Sequence, residues 1–277
     1  MNNISGRIGF KENNWDGLVY YTIPSFEQTG LVKHGFSSRL GGVSTGECTS
    51  LNLGFKRKDN PENVRENFNR FCSALGILPD QMVFSDQVHK DKVLKVDLYH
   101  QGMGFTKQSE IRETDGLIAH QPGLALVTFY ADCVPLFFLD PVKKIIGLSH
   151  SGWRGTVAKI GRQTLRAMEE HYGTRVSDCL VGIGPSIGPC CFEVDLPVAE
   201  EFAKAYPDRQ EEIIKPFGNK YYIDLWKANI IQLKDYGVPE DNITTASLCT
   251  CCNKDIFFSH RGDKGKTGSL AALLMLA

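Results

Sequence analysis

Three side chains scattered along this chain could together hold a reactive metal ion: His89, Cys133 and His150. Cys133 lies in Tyr130-Ala131-Asp132-Cys133-Val134-Pro135, and His150 in Leu148-Ser149-His150-Ser151-Gly152-Trp153-Arg154-Gly155. His89 follows an apolar run in Ser85-Asp86-Gln87-Val88-His89. Each sits where an apolar segment gives way to a loop, and loops held by a rigid sheet are where catalytic groups concentrate. Two imidazoles and a thiolate suit Zn²⁺, and three protein ligands leave a fourth tetrahedral position for water or substrate. Such a metal polarises a substrate oxygen or brings the pKa of bound water towards ~7. No local pattern such as His-Glu-x-x-His ties the three together. A Cys beside an apolar strand is also an ordinary small core residue, and His150 could be a hydrogen-bonded core histidine.

Other residues offer lesser chemistry. Gly152 and Gly155 bracket Trp153 and Arg154 where strand passes into helix, so backbone N–H groups and Arg154 could receive an anion there. Ser38 and Arg39, in a Gly/Ser-rich loop, could hold an anion or a sugar hydroxyl, or form an ordinary surface turn. Asn52 could touch a ligand or merely cap a turn. Cys249-Thr250-Cys251-Cys252 contains a Cys-x-x-Cys, and Cys190-Cys191 supplies two more thiols, enough for a Cys₄ structural zinc. The adjacency of Cys190 and Cys191 strains that chelate. Gly262-Asp263-Lys264-Gly265-Lys266-Thr267-Gly268 is half a phosphate-binding loop, but His260 stands where the pattern needs Gly. It is expected as a flexible cationic rim, not a nucleotide site.

The elements that must position these groups follow from apolar patterning. Strands are expected over 18–23, 31–36, 82–87, 93–96, 116–120, 124–130, 136–139 and 144–150. Helices are expected over 62–75, 156–172, 197–206 and 225–236, the first opened by Asn60-Pro61 and closed by Gly76. The segment 269–277 fits a strand as well as a helix. Strands outnumber helices and do not strictly alternate with them, which predicts an α+β or mixed-sheet architecture in one compact domain spanning 1–277.

The 277 residues suffice for a large core without disulfide staples. Charge is balanced, 31 Lys+Arg against 32 Asp+Glu, which argues against a nucleic-acid or anionic-membrane surface. The most apolar stretch, 124–139, is broken by Asp132 and Pro135 and falls short of a membrane span of ~20 residues. No basic segment followed by an apolar run marks a secretory signal, and the 9 cysteines are an odd number. A cytoplasmic protein with available thiols is expected.

These segments together resemble the laccase-domain (polyphenol oxidase) family, later described as zinc-dependent purine nucleoside phosphorylases. The resemblance runs from His34-Gly35-Phe36-Ser37-Ser38-Arg39-Leu40-Gly41-Gly42-Val43-Ser44 through Gln87-Val88-His89 and Asp115-Gly116-Leu117. It continues through the Cys133 and His150 segments and Gly182-Ile183-Gly184-Pro185-Ser186-Ile187, and ends at Cys249-Thr250 and Phe257-Phe258-Ser259-His260-Arg261. It implies mixed β-sheets flanked by helices, related in fold to cysteine-dependent toxin deamidases. It also implies that His89, Cys133 and His150 are zinc ligands, and that purine nucleosides and phosphate are the partners. The implied activity is phosphorolysis of adenosine, inosine and 5′-methylthioadenosine, with some adenosine deamination. Ser38, Arg39, Asn52, Gln87 and Arg154 are then the expected substrate contacts. His260 stands where members often carry Tyr, which weakens Arg261 as a contact.

In the working mechanism, metal and arginines position phosphate against the ribose C1′. For deamination, a metal-activated water attacks C6 of adenine, with Asp132 or Asp115 as candidate general acid/base. Rival readings are a Cys133–His150 thiol dyad of deamidase type, a copper polyphenol oxidase, a peptidoglycan-editing factor, and a zinc-stabilised scaffold. Copper (Cu²⁺) is conceivable at the His/Cys/His set. A multicopper relay needs many His ligands, and this chain has 7 His in total.

Overall fold

A computed structural model describes residues 7–277. Two larger sheets carry the architecture. The seven-stranded sheet runs in the order Arg7–Ile8, Ile243–Thr245, Leu180–Ile183, Val134–Asp140, Ile145–Ser151, Gly116–Ala119, Val93–Lys95. The six-stranded sheet runs Lys11–Trp15, Leu18–Thr22, Val32–Ser37, Leu270–Leu276, Ala125–Tyr130, Met82–Phe84. Both mix parallel and antiparallel pairs, and a three-stranded sheet of Glu193–Val194, Lys220–Ile223 and Ile214–Phe217 stands apart. The expected mixed α/β fold is what forms.

Strand periodicity decides how the layers stack. In Val134–Asp140, Phe137 and Leu139 point to one side and join Phe36, Leu126, Leu148 and Leu274 in the core between the two sheets. Leu136 and Phe138 point to the other side, against Ile160, Leu165 and Met168 of helix Ile160–Tyr172 and Leu233 of helix Leu225–Asp235. The six-stranded sheet is covered likewise: Val127 and Leu273 meet Val64, Phe68 and Phe71 of helix Pro61–Leu75. Side chains on alternate faces therefore fill separate cores. Among the described residues, no helix is long and apolar enough to cross a membrane.

Several expected elements form at nearly the expected bounds. Helix Pro61–Leu75 is capped by the Asn60 side chain, which accepts the Glu62 N–H, and ends at Gly76 with φ +63°. The expected helix over 156–172 is in fact two. Trp153–Val157 stops and Ile160–Tyr172 starts across Lys159, whose φ of +60° no helix interior tolerates. The expected strand over 82–87 ends at Phe84, freeing Ser85 to Gln87 for the loop that carries His89. Leu270–Leu276 is a strand, paired antiparallel on both edges with Val32–Ser37 and Ala125–Tyr130. The segment before it is a series of turns in which Asp263 accepts Thr267 Oγ1, with no strand–loop–helix order for a phosphate loop.

Candidate metal centre

The hairpin Val134–Asp140/Ile145–Ser151 pairs Pro135 with His150 and Val134 with Ser151. Cys133 thus sits just past the last pair, beside His150, and Asp132 turns the chain there with φ +89°. His89 reaches in from the loop after Met82–Phe84, itself left-handed at φ +62°. Donor atoms of His89, Cys133 and His150 all lie within 4.8 Å of one another. The two imidazole rings meet edge to face, centroids 4.8 Å apart.

Asp115 organises two of the three. Fully buried, it accepts the Nδ1–H of His150 at 2.9 Å and the backbone N–H groups of Val88, His89 and Lys90 at 3.0 Å each. Its backbone carbonyl also accepts the His150 N–H at 2.8 Å. With Nδ1 protonated, His150 presents Nε2 as the ligand atom, the arrangement in which a carboxylate orients a metal-binding imidazole. These bonds, with the His150 imidazolium, outweigh the burial that raises the Asp115 pKa, so its pKa is lowered. Asp115 thus holds the His150 ring and the backbone around His89. Asp132, the other acid/base candidate, accepts Thr250 Oγ1 and the Arg261 N–H, each at 2.7 Å.

The donor set fits a metal. Burial opposes ionisation of the Cys133 thiol, but the charge of His150 and hydrogen bonds from His150 and His89 bring its pKa down to about 6. His150 moves the other way. Burial lowers its pKa, while the adjacent Cys133 and the hydrogen bond to Asp115 raise it to about 9. Both shifts favour a thiolate beside an imidazolium, so the sulfur tends to its ligating form and a bound metal would displace the proton from His150 Nε2. Gly152 closes the cradle: a Cβ there would lie 3.1 Å from both Cys133 Sγ and His89 Cδ2.

His89, Cys133 and His150 line a cavity of 670 Å³, with Phe55, Phe84, Phe129 and Phe192 on its walls and Arg57 and Arg261 among its cations. Gln87 also lines it, but its amide is committed: Oε1 accepts the Phe129 N–H at 2.7 Å and Nε2 donates to the Phe129 carbonyl at 2.8 Å. The other expected contacts are placed elsewhere. Arg39 is not on the cavity wall; it donates to the carbonyls of Thr49 and Lys254 and lies 4.5 Å over the Phe258 ring. Ser38 is buried and accepts the Leu40 N–H. Asn52 is buried too, its Oδ1 accepting the Gly54 and Ser269 N–H groups. Arg154 is exposed, stacked 4.2 Å from the Trp153 ring, and that helix is only five residues long.

Sequence reasoning missed the aromatic wall and Arg57. Phe84 and Phe129 carried a signal, as aromatic residues at or beside expected strands, but nothing in the sequence indicated which face they would take. His260 and Arg261 both line the cavity despite the departure from the Tyr-Arg pattern.

Residues 33–277 match the multi-copper polyphenol oxidoreductase laccase family. The chain belongs to that family. It is 35% identical over 261 residues to a purine nucleoside phosphorylase of Bacteroides thetaiotaomicron, covering 94% of this chain and 96% of that protein. It is 34% identical over 250 residues to purine nucleoside phosphorylase YlmD of Bacillus subtilis, covering 87% of each. The crystal structure of YlmD from Geobacillus stearothermophilus superposes with a TM-score of 0.90 at 32% identity, over 96% of this chain and 98% of that one. Despite the family's copper-oxidase description, among the described residues imidazoles take part in a single His/Cys/Asp/Glu cluster that could hold a metal. His34, for one, is spent in the core, accepting the Ile23 N–H at 2.8 Å.

Proposed function

We propose that this protein is a zinc-dependent purine nucleoside phosphorylase, acting on adenosine, inosine and 5′-methylthioadenosine with phosphate. The observation that carries the reading is the His89/Cys133/His150 set opening onto a cavity that pairs aromatic walls with cations. The relatives named as phosphorylases support it. When bound at these three residues, Zn²⁺ supplies charge screening and Lewis-acid polarisation of a substrate oxygen. Zinc suits the open three-ligand N₂S set, whereas a multicopper relay needs more imidazoles than converge here.

The chain's own residues supply the rest. Phe55, Phe129 and Phe192 offer ring faces and edges to a purine. Gln87 fixes Phe129 by gripping its backbone at both N–H and C=O. Arg57 is the phosphate contact: its Nε donates to Ser269 Oγ at 2.8 Å, and Ser269 is itself held by Asn52. In phosphorolysis a phosphate oxygen bonds to C1′ while the glycosidic C–N bond breaks. The purine leaves with the electron pair and takes up a proton, a role this reading gives to His260, which lines the cavity. Ser38, Arg39 and Asn52 act behind the wall as supports.

The test is base release from inosine with phosphate. Cys133→Ala and His150→Ala should each abolish it, together with metal binding at this site; full turnover in a variant whose His89/Cys133/His150 site holds no metal would overturn the reading. Adenosine deamination at the same centre predicts inosine and ammonia from adenosine without phosphate.

A second reading has its own observation. Cys133, His150 and Asp115 line up as thiolate, imidazolium and orienting carboxylate, the order of a thiol hydrolase. A chelator separates the two: it silences the metalloenzyme and leaves the thiol enzyme active.

A further inference from the structure

Away from His89, Cys133 and His150, four more sulfurs converge. Strands Leu180–Ile183 and Ile243–Thr245 are parallel neighbours, so the loops that follow them leave the sheet at the same end. The loops then zip together: the Ser186 N–H donates to Leu248 O at 3.1 Å, and the Thr250 N–H to Ser186 O at 3.0 Å. At the far end of this contact lie Cys190 and Cys191 on one loop, and Cys249 and Cys252 on the other.

Cys252 Sγ is 3.4 Å from Cys190 Sγ and 3.4 Å from Cys191 Sγ. All four sulfurs lie within 4.8 Å of one another. A tetrahedral zinc with Zn–S near 2.3 Å needs sulfurs about 3.8 Å apart, a value inside this spread. The adjacency of Cys190 and Cys191, which looked awkward for a single chelate, is resolved by the turn: both thiols reach the same partner sulfur. The Gly188 N–H donates to Cys249 Sγ at 3.2 Å, the kind of outer hydrogen bond that steadies a thiolate ligand. Among the described residues, no imidazole or carboxylate joins the cluster. Cys190 and Cys252 are exposed, and exposed unligated thiols are oxidation liabilities.

We propose that Cys190, Cys191, Cys249 and Cys252 form a second metal centre, a closed tetrathiolate site for Zn²⁺ that clamps two loops of the cavity wall. Four thiolate ligands leave no position for substrate, so this site is structural. On binding, the thiols release their protons to solvent and no electron is transferred.

What the clamp would hold is specific. Ile187 and Phe192, flanking the Cys190–Cys191 pair, line the cavity. The Arg261 guanidinium donates to the carbonyls of Cys191 and Glu193 at 3.1 and 2.9 Å. Thr250, between Cys249 and Cys252, donates to Asp132, and the Ile187 N–H donates to the Asp132 carbonyl at 2.8 Å. Asp132 immediately precedes Cys133. The second centre thus tethers Phe192, Arg261 and the turn that presents the Cys133 thiolate.

The experiment measures metal in the full chain with the first site removed. The triple variant His89→Ala, Cys133→Ser, His150→Ala, purified under reducing conditions, should retain an equivalent of zinc. Loaded with Co²⁺, it should show the intense charge-transfer and tetrahedral ligand-field bands of a tetrathiolate, lost on further Cys249→Ser and Cys252→Ser substitution. Metal at background with all thiols titratable overturns the proposal, and so does a Cys190–Cys252 or Cys191–Cys252 disulfide found by mass spectrometry. X-ray absorption at the zinc edge of the unmutated protein keeps the test decisive if the variants do not fold. A sulfur-dominated average shell is expected; a nitrogen-dominated shell overturns the second site. Failure here leaves the phosphorylase reading untouched, because none of these measurements uses nucleoside turnover.

Discussion

Asp115 and His150 are joined twice, side chain to side chain at 2.9 Å and Asp115 carbonyl to His150 amide at 2.8 Å. The same carboxylate takes three amides around His89. A single buried acid thereby orients the His150 ring and holds the loop that carries His89, the arrangement a metal site at these residues would need.

Asp115→Asn tests that coupling. An amide cannot accept all four donors, and its own NH₂ would face the backbone N–H groups. Zinc affinity, measured by competition with a chromophoric chelator, should fall about 10–100-fold. A change under about twofold would falsify the orienting role.

Gly152→Ala probes the cradle from the other side. Its Cβ would stand 3.1 Å from Cys133 Sγ and from His89 Cδ2, so both side chains must give by a few tenths of an ångström. Overpacking of this kind costs about 1–3 kcal/mol, and here the cost should appear in metal affinity. If zinc binding is unchanged while the melting temperature drops, the strain is absorbed by the fold and the cradle argument fails.

Arg39→Ala separates wall support from substrate contact. Losing the bonds to Thr49 and Lys254 and the Phe258 stack should destabilise the protein by about 2–4 kcal/mol. The Michaelis constants for nucleoside and phosphate should stay within about twofold. Arg57→Ala should do the reverse, raising the phosphate constant most.

His34 predicts a pH dependence of stability. Buried beside Phe26 and Phe137, it is held neutral, its pKa lowered to about 4 by burial. The unfolded chain protonates this imidazole near 6.5, the folded chain only near 4, so protons favour unfolding between those values. Its contribution is complete above pH 6.5 and is lost as pH falls through 4, to the extent of about 3 kcal/mol. Denaturant midpoints from pH 7 to pH 4 should fall in the native protein and fall less in His34→Gln. Parallel curves would rule His34 out as the cause.

Much of the candidate site could be read from residue type. A lone Cys and two His, each at the end of an apolar run, are the pattern of side chains leaving a sheet for its loops, and the three donors do meet. The helix of Pro61–Leu75 was equally legible, because Asn60, Pro61 and Gly76 mark its ends through local backbone chemistry. Lys159 was not: a left-handed lysine carries no sequence mark, and the break it makes leaves too short a helix at Gly152 for the expected anion site.

Local chemistry determines what can be determined locally: strand and helix starts and stops, the thiols and imidazoles available, and the balance of charge. Which face each strand shows to which neighbour was left to the tertiary structure. Leu270–Leu276 is apolar on both faces because both are covered, so alternation vanishes and a strand cannot be told from a buried helix until its partners are known. Arg39 and Arg57 are alike as residues in polar loops. Only packing turned the first onto Phe258 and two carbonyls, and the second towards the cavity. Contacts between residues distant in sequence carry no local signature, and a convergent site consists of such contacts.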